Sequence, residues 1–281
     1  MLPTNLIGII FAIISAAVWG SGDFSGGQAA RKSHQYQVLM LAALSGMVVL
    51  VISALIRGEG IPSGHTIFWA AMAGSAGALG MAALYRALSM GNIASVAPTS
   101  AITCAALPVI FGLVTTGLPK FVQLAGFALA FLGIWLVSRS PSARDKTFRE
   151  GMTLGFLSGI GFGGFFIFIA LVDKGQVFIP VLIARTVTFG ISLVMLRLKH
   201  LPVPGLRSNP IAILAGVLDT GGNIFYLLAT QYTRLDIAAL VSSFYPVMTV
   251  ILAGIVLKEK ESLPQWAGII LCLLALTLIT L

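Results

Sequence analysis

Residues 139–150 read RSPSARDKTFRE, the longest charged stretch in a chain of 281 residues, and the sequences on its two sides answer one another at a near-constant offset. Just beyond it, residues 151–163 read GMTLGFLSGIGFG, and near the start residues 8–20 read GIIFAIISAAVWG. Gly8, Ser15 and Gly20 recur as Gly151, Ser158 and Gly163 at a separation of 143, with Trp19 answered by Phe162. Further on, Ala97, Ser100, Gly126, Leu129 and Leu132 recur as Ala239, Ser242, Gly268, Leu271 and Leu274 at 142, and Tyr85 recurs as Tyr226 at 141. Leu, Ala and Gly coincide by chance in apolar chains, but a near-constant offset over five segments points to an internal duplication.

The medium of the fold follows from composition. Hydrophobic residues make up 58% of the chain and charged residues only 9%, against roughly 25% charged in a soluble domain. A mean hydropathy of +1.00 and apolar runs of about 20 residues describe a chain dissolved mostly in lipid. A 19-residue window places spans near 6–24, 36–56, 66–88, 93–115, 121–138, 151–172, 177–196, 210–229, 237–257 and 265–281. The expectation is an all-α integral membrane protein of ten transmembrane helices, arranged as two five-helix repeats over 1–143 and 144–281. A repeat with an odd number of spans enters the membrane from the opposite side in its second copy, which is the inverted-repeat plan of many secondary carriers. The first apolar run lacks a preceding Lys or Arg, so it reads as a helix of the mature fold and not a signal peptide.

Several classes of function drop out. The basic residues, 17 against 9 acidic, lie singly or in short groups between spans, a distribution that suits lipid headgroups and not nucleic acid. Cys104 and Cys272 sit inside apolar runs without metal-ligand spacing and read as small buried hydrophobes. His34, His65 and His200 fall at span ends or in connections, and no GxSxG, HExxH, phosphate-loop or dinucleotide pattern occurs. No enzyme, cofactor or metal centre is expected.

The segments Gly8 through Trp19-Gly20, Tyr85-Arg86-Ala87-Leu88, Ser95-Val96-Ala97-Pro98, Ala238-Ala239-Leu240-Val241-Ser242-Ser243-Phe244-Tyr245-Pro246, and Gln265-Trp266-Ala267-Gly268 resemble the EamA family of the drug/metabolite transporter superfamily. The resemblance runs the length of the chain. It implies a ten-helix carrier whose central cavity is lined by spans 1, 3, 4, 6, 8 and 9, moving amino acids, metabolites or drugs. One departure is visible: the first repeat has Thr115-Thr116-Gly117 where the second has Lys258-Glu259-Lys260.

An ionisable side chain inside hydrocarbon costs on the order of 2.5–3.5 kcal/mol on insertion scales, so each one kept there needs a reason. Asp219 in span 8 and Arg185 in span 7 are nearest mid-membrane, with Asp23 and Arg86 toward span ends. Asp219, Asn223 and Tyr226 share one helical face. Two readings stand level: a cavity wall that holds a polar substrate group and perhaps a proton, or an Arg185–Asp219 ion pair that pins two helices. Trp19, Tyr85 and Tyr226 occupy repeat-related positions, and Tyr245 precedes Pro246. These aromatics, with Ser100, Ser242, Asp219 and Asn223, are the candidate substrate-binding set. Gly-rich ridges in spans 3 and 6 read as close helix packing.

The expected activity is secondary transport of a small polar metabolite, such as an amino acid, outward across the plasma membrane by alternating access. A drug-like cation efflux carrier and a non-transporting structural or channel subunit are the alternatives, and the chain is expected to act as a monomer or homodimer. Connections 1–2, 3–4, 5–6, 7–8 and 9–10 hold twelve basic residues and the other face four. The positive-inside rule then puts both termini outside the cytoplasm, whereas the family resemblance implies termini inside.

Overall fold

The computed structural model describes residues 3–89, 93–138, 148–258 and 262–281. The expected boundary between the repeats, at 143/144, lies outside the described residues. Eleven helices appear among them: α1 Thr4–Ala30, α2 Gln35–Arg57, α3 Gly64–Ser89, α4 Ile93–Thr116, α5 Phe121–Ser138, α6 Phe148–Ala170, α7 Phe178–Leu198, α8 Pro210–Tyr232, α9 Leu235–Ser242, α10 Tyr245–Leu257 and α11 Leu263–Thr280. Ten spans are long and apolar enough to cross a membrane, with α9 and α10 together forming the ninth. Each satisfies its backbone within itself, the condition lipid imposes. α1 begins on what we term the near face, and α1, α3, α5, α7 and α10 end on the far face.

Two elements differ from the hydropathy reading, each for a local reason. α1 runs to Ala30, past the expected end at 24: no proline intervenes, Ser21 and Ser25 meet their hydroxyl needs inside the helix on the carbonyls of Ala17 and Ser21, each at 2.8 Å, and hydropathy reports solvent preference, not helicity. The ninth span, expected continuous over 237–257, breaks at Ser243–Phe244. Pro246 lies in the first turn of α10 and has no N–H to offer the turn before it. The Ser243 hydroxyl donates to Ala239 O at 2.7 Å. α4, the matching span, carries Pro98 and Pro108 and stays one helix.

The duplication is legible in the packing. α1 packs along α8 as α6 packs along α3; α2 meets α8 as α7 meets α3; α1 meets α9 and α10 as α6 meets α4; and α2 with α7 and α5 with α11 form self-related pairs. Exchanging helix numbers between repeats leaves this list unchanged, as a two-fold relation requires. Small residues set the approach. A methyl added at Gly80 of α3 would lie 3.0 Å from Ser158 O and 3.1 Å from Phe162 N of α6, and one added at Gly222, the matching position in α8, would press into the Trp19 ring.

The near face is tied across the repeats. Glu59, just past the Gly58 terminator of α2 (φ 67°), accepts hydrogen bonds from the amides of Val177, Phe178 and Ile179 at 2.7–3.1 Å. Beside it Asp173 accepts from Thr66 Oγ1 at 2.8 Å and from the Ser63 hydroxyl, with His65 Nδ1 3.3 Å from its other oxygen. Arg234 donates to Gly117 O at 2.6 Å, and Lys120 Nζ to Leu281 O at 2.9 Å. On the far face the ties among the described residues gather at one corner, where Asn209 donates to Ala29 O at 2.9 Å and Gln37 to Pro202 O at 2.9 Å.

Gly80→Ala is expected to destabilise the protein by about 1–3 kcal/mol, the usual cost of overpacking, read as a lower thermal midpoint in detergent; an unchanged midpoint means the α3–α6 approach is slack. The Asp173 carboxyl is held below the usual carboxylate range, first by the hydrogen bonds from Ser63 and Thr66 and less by His65. Its contribution is therefore complete above the unfolded value of about 4 and is lost only as pH falls through the lower folded value. Hydrogen exchange of the amides at 171–177 should be protected equally at pH 7 and pH 5 after correction for intrinsic rates, and loss of protection near pH 6 contradicts this arrangement.

Candidate functional site

The centre of the molecule is where α1 meets α8, α6 and the broken ninth span. Trp19 stacks on Phe166 of α6 with ring centres 5.1 Å apart, Phe166 stacks on Tyr226 of α8 at 4.6 Å, and Trp19 closes the triangle to Tyr226 at 5.7 Å. Four polar donors here are already engaged. Trp19 Nε1 donates to Asp219 O at 3.2 Å, Asn223 Nδ2 to the same carbonyl at 2.8 Å, Tyr226 OH to Phe166 O at 2.9 Å, and Ser15 Oγ to Gly222 O at 2.8 Å. Trp19, Asn223 and Tyr226 are buried. The sequence-predicted residues are thus brought together, but as a filled aromatic plug rather than as the lining of an open space.

The serines behave alike. Ser100 of α4 bonds Ser158 of α6, Oγ to Oγ, at 3.0 Å; Ser242 of α9 donates to Ala12 O of α1 at 3.4 Å. Both are buried, and the two contacts are repeat-related, so they join the halves rather than facing solvent. The side chain of Tyr85 lies outside the described residues.

Arg185 of α7 and Asp219 of α8 form the expected ion pair. The Arg185 side chain is buried, while that of Asp219 keeps 32% of its surface, so the pair has one foot in the packed interior and one in accessible space. Backbone proximity adds to its role: Gly22 of α1 sits where a methyl would lie 3.1 Å from Asp219 N.

Two carboxylates were under-read in the sequence. Asp236, assigned to a connection, is fully buried in the first turn of α9, where Arg234 grips both oxygens at 2.7 and 3.1 Å and the Ile237 amide donates at 2.9 Å. Asp23, set aside as a span-end residue, lies seven residues inside α1 and is exposed. It stands one helical turn beyond Trp19, with Tyr245 of α10 and Cys104 of α4 within its electrostatic reach. No ion pair joins it to a described residue. The break in the ninth span abuts the same stretch of α1: Thr249 Oγ1 donates to Gly20 O at 3.1 Å, and a methyl at Gly20 would collide with Tyr245 O. The signal that could have singled out Asp23 was its spacing of four from Trp19, the face shared with the aromatic plug. Cys104 and Cys272 are buried and free, as expected.

A ten-span bundle built from two repeats, each docking its first helix on the third helix of the other, with a plugged centre and an accessible carboxylate beside it, is the architecture of a secondary membrane carrier. Residues 6–139 and 149–281 match the EamA-like transporter family, and the chain belongs to it. It is a multi-pass membrane transporter of a small molecule, working in a lipid bilayer, and not an enzyme. An uncharacterised protein of Methanocaldococcus jannaschii, MJ1333.1, is 28% identical over 89 residues, 32% of this chain. The match spans 65% of that curated relative. A solved crystal structure superposes with a TM-score of 0.75 at 16% identity, covering 99% of this chain and 96% of the other; at that identity the likeness is one of fold.

Asp219→Asn leaves the buried Arg185 cation without its partner and should cost toward the lower end of the roughly 3–5 kcal/mol typical of a broken buried pair, because Asp219 is partly accessible. Adding Arg185→Gln should restore the thermal midpoint. A pair that only pins helices recovers stability and transport together in the double variant, whereas a working carboxylate recovers stability alone.

Proposed function

We propose that this transporter exports a small zwitterionic metabolite of the amino-acid class across the plasma membrane, with Asp23 receiving the substrate ammonium. The observation that carries this reading is the Asp23 carboxylate: accessible, without an ionic partner among the described residues, and set beside a helix broken by Pro246, the kind of discontinuity carriers place at their binding sites. An ionised carboxylate held well inside a membrane span is costly unless it meets a cation or a proton. The Arg185–Asp219 pair supports the same reading by spending the Asp219 charge on the protein itself, which leaves Asp23 as the carboxylate to which a substrate amine adds.

The ties among the described residues support alternating access as the mechanism. The near-face clasp of Glu59 and Asp173, with the Trp19–Phe166–Tyr226 plug beneath it, forms the closed side; Asp23, in the far-face half of α1, is approached from the opposite side. Rocking the repeats to open the near face requires parting the plug, whose tyrosine hydroxyl, tryptophan N–H and Asn223 amide then become available to the substrate. Drug-like cation efflux is the second reading, and the Asp23 carboxylate, without an ion-pair partner among the described residues, is compatible with it.

Amino acids are expected to raise the thermal midpoint of the purified protein by mass action and to drive counterflow in proteoliposomes. Asp23→Asn should abolish both effects while moving the ligand-free midpoint little, since the side chain is exposed; substitutions at such places usually stay within about 0.5 kcal/mol. Simple organic amines acting as well as amino acids would move the assignment to cation efflux, and a transport-competent Asp23→Asn protein would remove this carboxylate from the site.

A further inference from the structure

Around the aromatic plug and the break in the ninth span, one donor after another is committed to the protein itself. Ser15, Trp19, Asn223 and Tyr226 are engaged within the plug. Ser242 and Ser243 donate to Ala12 O and Ala239 O, and Thr249 Oγ1 lies 3.1 Å from Gly20 O and 3.2 Å from Tyr245 O. Arg185 is taken by Asp219. The Tyr245 hydroxyl is different: it makes no hydrogen bond to a described residue, although the ring packs against the central core and the residue is half-buried.

Tyr245 is the first residue of α10, the half of the ninth span that follows the break, and its phenol lies within the electrostatic reach of Asp23. The two are not hydrogen-bonded to one another, so neither consumes the other. The inverted repeat shows that the framework does not call for a hydroxyl at this place. Gly20 and Gly163 match at the offset of 143. A methyl at Gly20 would collide with Tyr245 O, and one at Gly163 would lie 3.1 Å from Cys104 O, so Cys104 of α4 answers Tyr245, at the offset of 141. The shared packing contact is made by a backbone carbonyl in both copies. One copy carries a small buried thiol there and the other a half-buried phenol.

We infer that the Tyr245 hydroxyl donates to the carboxylate of the substrate and sets the preference for amino acids over simple amines. The inference rests on the reading of Asp23 as the receptor of the substrate ammonium. An amino acid carries both charged groups on one carbon, so a ligand whose ammonium lies on Asp23 holds its carboxylate a short way off. A donor near Asp23 but not bonded to it is placed to meet that carboxylate. Ionised, Asp23 only accepts and repels a second carboxylate, whereas the phenol O–H offers the opposite polarity. Hydrogen bonds to charged groups are among the stronger kinds, and a site built to bond one group of its substrate rejects the analogue that lacks it.

The test titrates the purified full-length protein in detergent, reading the thermal midpoint, with L-amino acids each paired with the amine left when its carboxylate is removed, leucine with isopentylamine and phenylalanine with phenethylamine. The wild type should bind the favoured amino acid more tightly than its amine, and so should Tyr232→Phe, a hydroxyl deletion at the exposed end of α8. In Tyr245→Phe the apparent affinity for the amino acid should fall about tenfold or more while that for the amine holds, so that the preference collapses. Asp23→Asn should weaken both ligands. Should Tyr245→Phe not fold, Tyr245→Met takes its place under the same outcomes. An undiminished amino-acid affinity in the folded variant, or an equal loss for amino acid and amine, overturns this inference and leaves the Asp23 reading standing. No amino acid raising the wild-type midpoint, or amines acting as well as amino acids on the wild type, overturns the amino-acid reading and this inference with it.

Discussion

Neither repeat can complete itself, and that incompleteness organises the molecule. α1 needs α8 and α6 needs α3, and in each pair the backbones approach at a glycine: Gly222 against the Trp19 ring, Gly80 against the chain at Gly161–Phe162. In a bilayer apolar burial cannot drive this association, because lipid tails are as apolar as the helices, so close packing and a few interhelical hydrogen bonds must do it. The Ser100–Ser158 and Ser242–Ala12 contacts are such bonds. Because they occur twice in related positions, the same few contacts fix both halves around one centre.

The polar inventory of the membrane interior is small and each member has a distinct use. Asp236 is neutralised by Arg234 and cements the start of α9; Arg185 and Asp219 bind one another across α7 and α8. Asp23 is the carboxylate among these without an ion-pair partner among the described residues, and it stands next to the break that Pro246 makes in the ninth span. A buried charge pair is weak evidence for stability but strong evidence that its members are spoken for. The accessible carboxylate is where a ligand's own charge has something to add.

Asymmetry between the repeats is as informative as their likeness. The duplicated framework recurs helix for helix, yet the two corners where α2 and α7 begin differ: one is filled by the Glu59 carboxylate, the other is an open volume lined in part by Arg86 and Lys199. Near-face ties connect four separate loops across the repeats, whereas those seen on the far face gather at a single corner.

Much of this was legible in the chain itself. Hydropathy fixed ten spans because lipid forces every span to be a long apolar helix, and the offset of 141 to 143 announced the duplication because matching helices must present matching small residues to each other. That Arg185 and Asp219 meet needed coordinates, since spacing within one helix says nothing of the distance to another. Two positions are not legible in this way: Asp236 lies outside the hydropathy spans because windows blur helix starts, yet it is buried at the head of α9, and the neighbours of Asp23 on other helices do not show in its own span. Trp19, Asn223 and Tyr226 were rightly grouped on facing positions, but only the packed structure decided that they fill the centre, for a helical face specifies direction and not what stands opposite. The sequence determined the medium, the number of crossings and the repeat, all of which depend on local composition; which polar groups are satisfied, which face is tied and where an open carboxylate remains depend on contacts between residues more than two hundred positions apart, and these the tertiary structure alone decided.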